Sequence, residues 1–213
     1  MMGKNMITLF KQLLTLLTVA ILSVPSYASL ISMDSNTFGS NSLTKDTSSG
    51  LSWLDLNLSK NYSYDQLVTE TAAGGVFEGF RLASQHEVTQ LFEAAQLPAM
   101  ETYTDDLRAI NSFINLIGYT SRPRYHSYLQ TFGITSTGDP LDNLHKVVGI
   151  NFMYKDGEPT YYFSQSLQVG NHVSSSTRGA WLVQVPEVAT MPLALAGLFI
   201  LFFQGRRTRN RWK

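Results

Sequence analysis

KVVGINFMYKDGEPTYYFS, residues 146–164, is the stretch that sets the fold class. Val148, Ile150, Phe152 and Tyr154 recur at every second position, the spacing that places side chains on one face of a strand. Asp156-Gly157 then stands at the centre of residues 155–158. An Asp-Gly pair tolerates the positive φ angles that a tight hairpin turn demands. Residues 160–164 are the predicted returning strand. Residues 128–134 read as an earlier strand and residues 180–185 as a closing one, so the second half is expected to form an antiparallel sheet.

Working outward, the first half reads as helices. Residues 36–50 are rich in Ser, Thr, Asn and Gly and suggest turns around a short strand. GLSWLDL follows, with Leu51, Trp53, Leu54 and Leu56 partly buried in a strand that runs into a loop. Ser63 and Gln66 have capping-box spacing and open a helix toward Ala73, ended by Gly74-Gly75. Residues 77–82 are a predicted short strand. Ser84 and Glu87 form a second box, followed by the stripe Val88, Leu91, Phe92 and Ala95, with Pro98 as the stop. A third helix is expected from Thr104 as N-cap, with Asp105 and Asp106 at its positive end. Its stripe is Leu107, Ile110, Ile114 and Ile117, and Gly118 closes it. The expectation is an α+β domain over residues 29–184, helices in the first half and the sheet mainly in the second.

The chain has 213 residues and a formal net charge of zero, which hides a segregation. Residues 1–28 carry two lysines and no acid, and residues 206–213 carry five basic residues and no acid. Between Ser29 and Val185 stand nine basic and fifteen acidic residues, a net of −6. Such a body is not expected to attract nucleic acid or anionic lipid. The absence of cysteine excludes disulfides, thiolate metal sites, a thiol nucleophile and a lipidated cysteine.

Both ends read as addresses. Lys4 and Lys11, an apolar stretch over residues 13–24 and the small residues around Ser26-Tyr27-Ala28 have the form of a secretory signal. Signal peptidase and the export machinery are the implied partners, with cleavage expected after Ala28; an uncleaved anchor is the alternative. Residues 188–204 are uncharged and would make a helix about 26 Å long, near the shortest that crosses a bilayer. Arg206, Arg207, Arg209, Arg211 and Lys213 follow directly and are expected to stay on the cytoplasmic side.

The order Val185-Pro186-Glu187, short apolar helix, arginine cluster resembles the PEP-CTERM sorting signal over residues 185–213. Val188 departs from the Pro-Glu-Pro that names that family, while Ala189-Thr190 follow its usual continuation. The resemblance implies recognition by an exosortase, an integral-membrane cysteine protease of Gram-negative bacteria that make exopolysaccharide. It further implies cutting near Pro186-Glu187 and delivery of the body to the cell surface or extracellular matrix. SSGLSWLDL, GVFEGFRLASQHEVTQLF and GAWLVQV resemble a domain with the pattern GLxWLDL, GWRxAT, WLV found in such proteins, with Phe80 where tryptophan is usual. More weakly, the body is similar to Lcl-type domains near the C-type-lectin fold. Neither resemblance implies a biochemical activity or a cofactor.

The candidate chemistry is sparse. His86-Glu87-Val88-Thr89-Gln90 has Gln90 where a zinc-protease helix needs its second histidine. Residues 138–143 offer oxygen ligands but lack the acids and the terminal glutamate of an EF-hand loop, so a turn with Asx hydrogen bonds is the simpler reading. Glu158-Pro159-Thr160 has Thr where a lectin sugar motif has Asn. Arg122-Pro123-Arg124-Tyr125-His126 is a basic, aromatic knot that can meet an acidic polysaccharide or lie as a solvated loop. Tyr154, Tyr161, Tyr162 and Phe163 can stack on sugar rings or pair across strands, and Arg122, Arg124 and Tyr161 are the candidate ligand contacts. His86, His126, His145 and His172 are scattered, and no Gly-x-Ser-x-Gly elbow occurs. The expected function is an exported, non-enzymatic surface or matrix module associated with exopolysaccharide. The alternatives are a hydrolase of that polysaccharide, which needs two carboxylates about 5–10 Å apart in a cleft, and an uncleaved single-span membrane protein.

Overall fold

The computed structural model describes residues 29–122, 129–139 and 141–185. Ala28, Arg124, Pro186, Glu187, the apolar run 188–204 and the tail residues Arg206, Arg207, Arg209, Arg211 and Lys213 lie outside them. Among the described residues no helix is long and apolar enough to cross a membrane.

The α+β class holds, with two sheets where one was expected. The first takes the order β1 (Leu30–Ser35), β2 (Gly39–Asp46), β3 (Ser52–Leu54), β10 (Leu182–Gln184), β4 (Phe80–Leu82). The second takes the order β5 (Tyr103–Thr104), β8 (Glu158–Gly170), β7 (Leu144–Lys155), β6 (Thr131–Asp139), β9 (Gly179–Ala180). All neighbours are antiparallel except β6 and β9, which run parallel. Three α-helices are described, α1 (Tyr64–Glu70), α2 (Gln85–Ala94) and α3 (Leu107–Ile117), with a 3-10 turn at Leu56–Ser59.

The β7–β8 hairpin forms around Asp156 (φ 54°) and Gly157 (φ 88°), flanked by the pair Lys155↔Glu158. Val148, Ile150 and Phe152 are buried, as their alternation predicts, whereas Tyr154 next to the turn is 53% exposed. Both strands outrun their predicted lengths. Gly149 permits the close approach of β6, since a Cβ there would stand 2.2 Å from the Thr131 carbonyl oxygen.

The predicted closing strand is really two. β9 belongs to the second sheet and β10 to the first, and Trp181 is the residue at the switch. Its backbone N–H donates to Ile134 O, its carbonyl accepts from Ala83 N, and its indole N–H donates to Val148 O at 2.9 Å. One apolar cluster joins Trp53 and Trp181 to α2, α3 and one face of the β7–β8 hairpin, through Phe92, Ile110, Ile114, Ile150 and Phe163. A second holds Leu43, Leu54, Leu67, Phe80, Ile134 and Leu182. Each fully buried aliphatic or aromatic side chain contributes roughly 1.5–3 kcal/mol.

Several expectations are corrected. The short strand expected between turns in residues 36–50 is β2, and what its polar composition hides is that Thr44 and Asp46 in it are buried. Thr44 Oγ1 donates to Leu116 O at 2.7 Å, and Asp46 is satisfied by its own turn, so burial leaves neither unpaired. The cap of α3 is Asp106, whose carboxylate accepts from Ala109 N at 3.0 Å, while Thr104 pairs in β5. The strand predicted from residue 77 begins at Phe80, and the one predicted over residues 128–134 is β6, which runs on to Asp139.

Both capping boxes form as read. At α2, Ser84 Oγ accepts from Glu87 N at 3.2 Å and Glu87 Oε2 accepts from Ser84 N at 2.8 Å. The Arg81 guanidinium, 2.6 Å from Glu87, holds that carboxyl down to about 2 against the opposing effect of burial, aided by Ser84. Ser84→Ala is expected to lower stability by about 1 kcal/mol. A lower urea midpoint at unchanged m-value is the measurement.

Candidate functional site

The outer face of the second sheet, at its β5 edge, gathers exposed rings and charges. Register Tyr103↔Tyr162 and Thr104↔Tyr161 fixes which tyrosines point outward, because directly opposed residues share a face. Tyr103 is 46% exposed, and its ring centroid lies 4.8 Å from that of Tyr162 at a 39° tilt. Lys155 Nζ sits 4.4 Å from the Tyr103 centroid, a cation–π contact. Behind the rings, Glu101 adopts φ 60° and is pinned to β8: its N–H donates to Phe163 O at 2.7 Å and Phe163 N donates to Thr102 O at 3.1 Å. Its carboxylate accepts from Gln165 N at 2.8 Å and from the Tyr162 hydroxyl. The Tyr162 bond pulls the Glu101 carboxyl below its ordinary value, and the same bond pushes the phenol up to about 12. One strand further, on β7 directly opposite Tyr162, the Asn151 amide oxygen accepts from Gln130 Nε2 at 2.6 Å.

Tyr161, expected to touch a ligand, is fully buried. Its hydroxyl donates to Asn111 Oδ1 at 3.0 Å and its ring packs edge-on against Phe152, so Tyr162 is the tyrosine that faces out. Arg122 is exposed, its guanidinium 5.7 Å from the Tyr119 ring centroid. Val185 is 47% exposed and tied to the body by a bond from its N–H to Gly79 O at 2.8 Å.

Two histidines that look scattered in the sequence meet at the start of α1. Tyr64 stacks on His145 with centroids 3.3 Å apart, and His172 pairs with Asp65. Burial lowers the His145 pKa against the pull of Asn171 and the Asp65 charge. Among the described residues, no group of three or more His, Cys, Asp or Glu side chains is placed to hold a metal ion.

Asp46 and Glu93 line an open depression of about 360 Å³ between the turn after β2 and α2. Asp46 Oδ1 accepts from Ser48 N at 2.8 Å and Ser48 Oγ at 2.6 Å, and Oδ2 accepts from Ser49 Oγ at 2.6 Å. Burial raises the Asp46 pKa, and these bonds more than offset it, so the carboxyl ends below its ordinary value. A carboxylate held ionised in this way organises a turn and has no proton to give as a general acid.

A scan against known protein families finds no match, and neither a curated protein nor a solved structure matches the chain.

Proposed function

We propose that this chain is an exported protein sorted by its C-terminus to the cell surface or extracellular matrix. Its α+β domain acts there as a non-enzymatic module associated with exopolysaccharide. In this reading the segment up to Ala28 directs export and is removed by signal peptidase. Residues 188–204 then span the inner membrane while Arg206, Arg207, Arg209, Arg211 and Lys213 hold the tail inside. An exosortase-type protease cuts near Val185-Pro186-Glu187 and releases the domain. The observation that carries the reading is the order of those three elements at the end of the chain. It is supported by the exposure of Val185, the last described residue, directly after β10.

The mass and C-terminal sequence of the protein recovered from cells and their matrix test this. The expected product ends near Glu187 and lacks Trp212-Lys213. Intact Trp212-Lys213 in all recovered protein overturns sorting and leaves an uncleaved single-span protein.

A further inference from the structure

We propose that Tyr103, Tyr162 and Glu101 form a binding site for a polysaccharide chain that carries free amino groups. The site deepens the exopolysaccharide-associated reading above and rests on it for its biological setting, while the binding is a property of the folded domain alone.

Four observations converge on this edge. Tyr103 is 46% exposed on a two-residue strand whose register holds it outward, where it adds little to either apolar cluster. A tyrosine presents an apolar ring and a polar tip together, the combination that a sugar's mixed faces need. Glu101 is held in a left-handed conformation that strains a non-glycine residue. That strain is fixed by bonds to Phe163, Gln165 and Tyr162, and it places an ionised carboxylate beside the rings. The Tyr103 ring already accepts an ammonium, that of Lys155, which demonstrates the charge it suits. A long, flexible lysine can swing away for a ligand amine.

Charge then selects the occupant. Glu101 bonds Tyr162, Glu158 pairs in register with Lys155, and the body from Ser29 to Val185 carries a net of −6. A polyuronate is repelled by that field and a polymer with ammonium groups is drawn to it. Asn151, opposite Tyr162, and Gln130, bonded to it, keep the Asn151 NH2 and the Gln130 carbonyl oxygen for ring hydroxyls.

The test titrates the full chain, purified in detergent, with three oligosaccharides at low salt and mildly acidic pH, followed by calorimetry. They are a glucosamine hexamer, its N-acetylated counterpart and a polyuronate fragment of equal length. The glucosamine hexamer is expected to bind at least about tenfold more tightly than the other two. Tyr103→Ala is expected to weaken it about tenfold, the scale of one desolvated cation–π contact. Tyr103→Phe keeps the affinity, and Glu101→Gln both weakens binding and flattens its salt dependence. A urea midpoint for Tyr103→Ala close to that of the parent excludes unfolding as the cause. Equal or tighter binding of the N-acetylated or acidic oligomer overturns the proposal. So does an unchanged affinity in Tyr103→Ala, or no saturable binding of the glucosamine hexamer. None of these outcomes touches the tail-processing experiment, and an intact tail leaves the binding result standing.

Discussion

Trp181→Ala is expected to destabilise the domain by about 3–5 kcal/mol, a large share of the roughly 5–15 kcal/mol that holds a domain of this size together. The reason is position as much as size. Trp181 has no exposed surface and sits where the chain leaves the second sheet for the first. Its ring meets Trp53 edge-on at 6.0 Å and Phe92 at 5.8 Å, so removal opens a void shared by β3 and α2. Gly133 is shaped to it, since a Cβ there would stand 2.6 Å from Trp181 Cδ1. Loss of the indole N–H also strands Val148 O, which accepts from it at 2.9 Å in the buried hairpin. Trp181→Phe separates the two contributions. It keeps most of the ring but leaves that carbonyl without its partner, and is expected to cost about 1–3 kcal/mol. Urea unfolding of both variants gives the values. A loss below 1 kcal/mol for Trp181→Ala would mean that the two sheets do not depend on this residue for their packing.

The same residue marks the boundary of what the sequence conveys. The hairpin is legible because its information is local: Val148, Ile150 and Phe152 alternate, and Asp156-Gly157 can take the two positive φ angles. The two helix caps are legible for the same reason, each complete within four residues. The sheet switch is not. Residues 180–185 read as one continuous apolar strand, and the break at Trp181 follows from which partners lie on either side, Gly133 and Ile134 before it, Trp53 and Leu82 after it. β1 and the inward face of β2 escape for another reason. Ile31 and Met33 face solvent and Thr44 and Asp46 face inward, the reverse of the polarity a strand on a core is expected to show. The burial of Thr44 depends on Leu116, a partner far along the chain.

At the candidate site the missing piece was available. Counting outward from the turn pairs Lys155 with Glu158 and therefore Phe152 with Tyr161, which puts Tyr161 on the buried face and Tyr162 on the open one. The phase of the alternation, carried across the turn, corrects the choice between adjacent tyrosines. Nothing comparable leads to Glu101 or Tyr103, which reach the site through a short edge strand without periodicity. Nor does it lead to His145, His172 and Asp65, which come from three separate elements.

The GLSWLDL segment yields a pH dependence of unusual sign. Asp55 has a buried Oδ1 without a partner, and burial pushes its carboxyl from 3.8 up to about 7. It lies against Gly118, at the end of α3, where an added Cβ would stand 3.2 Å from Asp55 Cβ. A carboxyl with a raised folded-state pKa keeps its proton where the unfolded chain has already released it. Its favourable contribution is therefore present at and below about pH 4 and is lost as pH rises toward about 7, the reverse of a salt-bridged aspartate. At 1.36 kcal/mol per pKa unit the whole shift corresponds to about 4 kcal/mol, and solvent screening of this partly exposed group reduces the expected effect to about 1–2 kcal/mol. Asp55→Asn keeps the shape and removes the charge. The variant is expected to be more stable than the parent by about 1–2 kcal/mol at pH 8, with the advantage shrinking toward pH 4. The comparison isolates the residue from its neighbours. Glu87 and Asp46 have lowered values and lose their contributions only in stronger acid, and His145, also lowered, titrates in both proteins alike. Urea midpoints at pH 5 and pH 8 decide it. A parent-to-variant difference that is the same at both would show Asp55 ionised and satisfied in the fold, and the motif's aspartate would then be an ordinary loop carboxylate.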